Sequence, residues 1–199
     1  MPFDPPIPGQ TPLDDLSGLR DRSIHTTAEL NTAEAENIRK ATLKYLGSKP
    51  SSRTARFDVA WLKKLHEEML GEVWTWGGTL RTTVKNIGSP PYQIETDLYN
   101  LVEDLKEWTN SGMSLDEQAV RLHHVAVRIH PFPNGNGRWS RMVANIWLKL
   151  NDAEPVEWPE TTIGTASTIR DRYLEAVKAA DQGDYTPLCE LHREFQCRN

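Results

Sequence analysis

Hydrophobic residues recur along most of the chain with the period of an α-helix. Residues 26–47 are rich in strong helix formers, with Ala35, Ile38, Ala41 and Tyr45 on one stripe and Gly47 suited to the C-cap. Residues 57–70 repeat the pattern through Val59, Leu62, Leu65 and Met69, and residues 95–110 through Leu98, Leu101, Leu105 and Trp108. The stretch 114–130 opens on Ser114 with Glu117 three residues on, the spacing of a capping box, and carries Leu122, Val125 and Ile129 inward. The clearest amphipathic run is Trp139, Met142, Val143, Ile146, Trp147 and Leu150, at i, i+3, i+4, i+7, i+8 and i+11. Residues 165–184 and 185–197 read as two closing helices. Between 71 and 95 the helical period breaks at glycines, β-formers and the pair Pro90–Pro91, which predicts a loop with a short β-hairpin near residues 81–94. Residues 1–22, rich in proline and aspartate, predict an irregular arm. The fold class that follows is all-α with one small β element.

Composition narrows the function without naming it. A chain of 199 residues can bury a proper core as one domain with an extension. Its 38% hydrophobic and 26% charged residues are ordinary for a globular protein. A net charge of −5 argues against coating nucleic acid, which needs a basic surface, yet leaves room for one basic pocket. Cys189 and Cys197 have no metal-ligand spacing and read as plain thiols of a reducing compartment. No apolar run has membrane-spanning length and the N-terminal stretch lacks a signal pattern, so a cytoplasmic, membrane-free protein is expected.

Candidate chemistry gathers in residues 128–150. His130 closes a helix that Pro131 cannot continue. A turn of Pro133, Asn134, Gly135, Asn136 and Gly137 follows, then Arg138 and Arg141 three residues apart. The unpaired N–H groups of a helix's first turn, with its dipole, attract anions. Gly135 and Gly137 let the backbone approach a ligand, and Asn136 offers a side-chain donor. Arg138, Arg141 and Asn145 share a polar face on which two guanidinium groups can fork onto phosphate oxygens. A neutral His130 beside a bound phosphate could take a proton from a hydroxyl, and Asn134 could give an oxygen to Mg²⁺, the companion of a triphosphate. Taken singly, each of these residues has an ordinary reading as a cap, a turn or a surface charge. No GK[ST] follows the glycines, which excludes a Walker site, and His123, His124 and His130 do not form the HExxH of a zinc hydrolase.

The same stretch resembles the signature HPFx[D/E]GNGRxxR of the Fic family, and all eight of its fixed positions match between His130 and Arg141. The likeness runs over residues 23–199, and the wording HPFPNGNGR is most similar to the branch called mobile mystery protein B. It implies a Fic-like helical bundle with a hairpin flap, and a bacterial protein adenylyltransferase that moves AMP from ATP to a Ser, Thr or Tyr hydroxyl with Mg²⁺. In that reading His130 is the base and Asn134 the metal ligand, an amide where the family has a carboxylate. Gly135, Asn136 and Gly137 hold the α- and β-phosphates, Arg138 the β-phosphate and Arg141 the γ-phosphate. Tyr173 and Asp181 border the adenine. The flap residues Ile87, Gly88, Tyr92 and Ile94 lay the target backbone alongside. The helix at about 32–46 is similar to the family's inhibitory segment [ST]xxxE[GN] through Thr32, Glu36 and Asn37, which implies that Glu36 pairs with Arg141. The branch implies a helix-turn-helix partner protein, and a second copy of the chain is a candidate partner. De-AMPylation, with Glu36 activating water, and a catalytically weak nucleotide- or partner-binding module stay open as alternatives.

Overall fold

The structure of the protein, a computed structural model, describes residues 16–196. Most of the expected arm, residues 1–15, therefore lies outside the described residues. Those described form eight α-helices: α1 Thr27–Leu46, α2 Val59–Leu70, α3 Ile94–Asn110, α4 Leu115–Ile129, α5 Asn136–Leu150, α6 Glu160–Ile163, α7 Thr168–Asp181 and α8 Thr186–Phe195. A 3₁₀ turn, Pro91–Gln93, leads into α3. No described helix is long and apolar enough to cross a membrane.

Side-chain caps mark the helix starts. Thr26 and Glu29 form a complete capping box at α1, and the side chains of Asp58, Ser114 and Ser167 accept backbone N–H groups at α2, α4 and α7. Antiparallel α4 and α5 pack most extensively and form the centre of the molecule. One core lies between α1, α2, α3 and the inner faces of α4 and α5, around the fully buried Leu65, Met69, Trp74, Leu98 and Trp139. A second joins the other side of α4 and α5 to α7 and α8, around Val120, Ala144, Leu148 and Leu188. At about 1.5–3 kcal/mol per buried aliphatic or aromatic side chain, these two clusters hold α4 and α5 firmly enough to fix the turn that joins them. The last described part of the arm packs as well. Leu19 is buried, and its segment bonds the chain after α2 through Arg20 N–H to Val73 O (2.9 Å) and Thr75 N–H to Gly18 O (2.8 Å).

Two expectations change. Residues 81–94 contain no strand among the described residues. Pro90 and Pro91 have no N–H to give a ladder, and Arg81 consumes carbonyls that a hairpin would pair. The segment is an irregular loop. In α1 the buried stripe is Leu30, Glu34, Asn37, Ala41 and Tyr45, so Ala35 faces solvent and Ile38 is half-buried.

Candidate active site

The turn between α4 and α5 is held from four sides. His130, the C-cap of α4, takes the left-handed conformation (φ 52°, ψ 58°) that Pro131 then leaves. Asn136 is 2% exposed, and its amide clasps Phe132, accepting from Phe132 N–H and donating to Phe132 O, both at 2.9 Å. Its side chain therefore closes the turn and does not offer the free donor that the sequence suggests. Asn134 Oδ1 accepts the Gly135 N–H at 2.6 Å. Gly135 stands at φ 77°, where a Cβ would lie 2.4 Å from Leu70 Cδ1, so this position requires glycine twice over. Below the turn lies His66 of α2, stacked on Phe132 with ring centroids 3.7 Å apart. Its Nδ1 accepts from Gly78 N–H at 3.0 Å, which leaves Nε2–H to donate to Asn134 O at 3.0 Å. Burial holds its pKa at about 3, so this ring stays neutral.

The first turn of α5 has no side-chain cap, so its N–H groups point out of the turn for an anion. Gly137 is in that turn, and a Cβ there would lie 3.4 Å from an Arg141 guanidinium nitrogen. Arg141 thus returns along the helix to the same N-terminus. His130 is 5% exposed. Burial first, and then the Arg81 guanidinium, lowers its pKa to about 4, against a backbone hydrogen bond at Val127 that pulls the other way. The imidazole is neutral at physiological pH, the form a base requires.

Both arginines are occupied by carboxylates. Arg138 donates to Glu34 Oε2 of α1 at 2.6 Å, and Trp74 Nε1 donates to the same carboxylate's Oε1 at 2.7 Å. Arg141 grips Glu160 of α6 with two nitrogens, Nε lying 2.7 Å from Oε1. Burial alone would lower the Arg141 pKa, and Glu160 with Tyr173 raises it instead. Asn145 explains how Glu160 arrives there. It exchanges two 2.9 Å hydrogen bonds with Val156, turning the chain after α5 back onto the helix one turn beyond Arg141. Asn145 thereby belongs to this fastening and not to the arginine face. Tyr173 lies under the Arg141 guanidinium at 5.4 Å, with its hydroxyl 3.0 Å from buried His123.

Several expected positions stand elsewhere. Glu36 is on the surface of α1, bonded to Arg39 (2.8 Å), and Arg141 is paired with another residue. The geometry corrects the Glu36–Arg141 pair. The acid of α1 that reaches the turn is Glu34, half a helical turn away. Thr32 bonds back to Ala28 O on the exposed side, and Asn37 is buried, bridging Glu68 O and Glu72 N–H. Asp181 pairs with His124 Nε2 at 2.8 Å, and nothing among the described contacts brings it to the turn. In the loop, Ile87 and Tyr92 are exposed and Gly88 has φ 94°, whereas Ile94 is fully buried in α3 and belongs to the core. Glu34, His66, Arg81 and Glu160 are missing from the sequence reading. Glu34 alone carried a signal, standing four residues after Leu30 and seven before Ala41 on the apolar stripe.

Mg²⁺ fits here only in part. Asn134 Oδ1 keeps a second lone pair beside its bond to Gly135, so it can give one neutral oxygen, with phosphate oxygens and water as the rest of the shell. Among the described residues no cluster of three or more His, Cys, Asp or Glu side chains could hold a metal unaided.

Residues 56–148 match the model of the Fic/DOC family. The protein adenylyltransferase Fic of Drosophila grimshawi is 33% identical over 130 residues, 63% of this chain and 26% of that protein. Protein adenylyltransferase fic-1 of Caenorhabditis elegans is 30% identical over 135 residues, 63% of this chain and 24% of that protein. The chain thus spans about a quarter of the length of these curated relatives. The BepC protein of Bartonella tribocorum, a structure with bound AMPPNP, superposes with a TM-score of 0.66 at 21% identity, over 97% of this chain and 96% of that one. An N-terminal Fic domain from Bartonella quintana with bound ADP superposes at 0.65, with 19% identity and 89% coverage of both chains. The turn built around His130 thus lies within the residues that match the Fic/DOC family model, and the described helices share their fold with these solved structures.

Proposed function

We propose that this protein is a protein adenylyltransferase. ATP lies with its phosphates against the uncapped start of α5, Gly137 allowing close approach and Arg138 and Arg141 neutralising the β- and γ-phosphates. A Ser, Thr or Tyr hydroxyl of the target attacks the α-phosphorus. His130 takes its proton, the new O–P bond forms, and the bond to pyrophosphate breaks. Most of the acceleration comes from positioning and charge neutralisation. Asn134 would hold Mg²⁺ through its amide oxygen, where the ion supplies charge for the phosphates. Ile87, Gly88 and Tyr92 of the exposed loop would meet the target, and Tyr173 would border the nucleotide. The HPFPNGNGR wording supports the mobile mystery protein B branch, with its helix-turn-helix partner. The observation that carries the reading is the neutral His130 and the uncapped, arginine-bearing helix start at the two ends of one clasped turn.

The same geometry supports reading this as an enzyme at rest. Both cations meant for phosphate hold carboxylates, Glu34 on Arg138 and Glu160 on Arg141. In this reading the restraining acids are Glu34 of the N-terminal helix and Glu160 from beyond α5. Incubation with ATP labelled at the α- or the γ-phosphate tests the chemistry. Protein-bound label from the α position alone is expected; label from the γ position would show phosphoryl transfer and end the proposal.

Asn134 makes a separate prediction. Asn134→Asp adds a negative charge at the metal ligand and keeps the oxygen that caps Gly135. The Mg²⁺ concentration for half-maximal transfer is expected to fall by about tenfold, as a magnesium titration of α-label incorporation would show.

A further inference from the structure

The loop between α2 and α3 is tied to the catalytic turn by one side chain. The last carbonyls of α4 have no intrahelical partner. Three successive carbonyls at and just beyond this end accept from the loop: Ile129 O from Ser89 N–H (3.0 Å), His130 O from Arg81 Nε (2.7 Å) and Pro131 O from Arg81 N–H (2.9 Å). The other guanidinium nitrogens of Arg81 close the loop on itself, at Thr83 O (2.8 Å) and at Ser89 O. Arg81 is 4% exposed, and among the described residues no carboxylate pairs with it. An arginine buried without a counter-charge is costly, and the three carbonyls met by its planar fork, one at the helix C-cap and two in the loop, are the compensation. At the other end of the loop Gly88, at φ 94°, passes so close that a Cβ would lie 2.5 Å from His130 Cβ. Between these anchors Val84 and Ile87 stay exposed, at 80% and 48%.

We infer that Arg81 is a positioning residue that fixes the loop to His130, so that a polypeptide lying along Val84 and Ile87 presents its hydroxyl at one set distance from the imidazole. The inference rests on the AMP-transfer reading for the hydroxyl, but not for the fastening itself. Lysine keeps the cation and lacks the fork, so Arg81→Lys separates geometry from charge. In a Glu160→Ala background, Arg81→Lys is expected to lower kcat for self-modification by about tenfold or more while KM for ATP changes by less than about twofold. Hydrogen exchange of residues 82–90 is expected to quicken by about tenfold. Gly88→Ala, whose added carbon would lie 2.5 Å from His130 Cβ and 2.8 Å from Arg81 Nη2, pushes on the same fastening from the other side, is expected to do the same and serves if the lysine variant does not fold. Unchanged exchange in folded Arg81→Lys would overturn the fastening. Faster exchange with kcat retained, or a raised KM for ATP, would overturn its role in presenting the hydroxyl. Faster exchange where the Glu160→Ala parent itself shows no AMP transfer would leave the fastening standing and remove the transferase reading.

Discussion

His130→Ala is expected to lower AMP incorporation by about 10²–10⁴-fold, the range that a positioned general base contributes. The loss should fall on kcat, because the phosphate contacts proposed for ATP come from the start of α5, Arg138 and Arg141. Binding of ATP, measured calorimetrically, should stay within about twofold. The pH profile gives an independent check. His130 must be neutral to act, and its pKa is held at about 4 instead of the ordinary 6.5, by burial chiefly and by Arg81 next. Activity is therefore expected to be level through pH 6–7 and to fall only as the pH drops through about 4. A descending limb near 6.5 would mean that an ordinary, exposed histidine is the base.

How much of this was legible in the residue pattern depends on what each position had to satisfy. Trp139, Val143, Ile146 and Leu150 announced α5 because burying a stripe at 3.6-residue spacing has one local solution. His130 and Gly135 were legible because a proline after a helix and a left-handed turn restrict the chain within a few residues. Glu34 and Asn37 were less so: the spacing from Leu30 and to Ala41 puts Glu34 on the apolar stripe, but hydropathy places a glutamate or an asparagine outward. Here each fills a buried position because Trp74 Nε1, Arg138 and the backbone of Glu68 and Glu72 supply partners far along the chain. Hydropathy therefore sets the first half of the α1 stripe one position off, and the motif spacing that points to Glu36 carries no information on which face of the helix meets the turn. Glu160 lies nineteen residues beyond Arg141 and reaches it only through the Asn145–Val156 clasp, a contact that no periodicity encodes. Arg81 sits in a segment whose β-forming residues suggested a hairpin. It bonds His130 O and Pro131 O just beyond α4 as well as Thr83 O and Ser89 O within the loop, so side-chain and long-range bonds stand where a hairpin ladder would.

The acid most easily displaced is Glu160. Its side chain is 47% exposed and stands on a four-residue helix, while Arg141 opposite is 6% exposed. The carboxylate side of this pair is open to solvent, so a triphosphate that brings several charges to Arg141 can replace it. Glu34 differs. It is 5% exposed and also holds the Trp74 indole, so removing it leaves a fully buried donor and the half-buried Arg138 unmet. Glu34→Ala is expected to cost about 2–4 kcal/mol of stability, and so to report on folding before it reports on regulation. Glu160→Ala frees Arg141, at a stability cost that the melting temperature reads because this cation is buried, and should raise self-modification with α-labelled ATP by about tenfold or more. Glu36→Gly breaks only a surface pair with Arg39 and should leave the rate within about twofold of the parent. The three variants thus locate the restraint by rate and by melting temperature together. Activation by Glu36→Gly with Glu160→Ala silent would move the acid that guards Arg141 back to α1 and require a rearrangement of that helix.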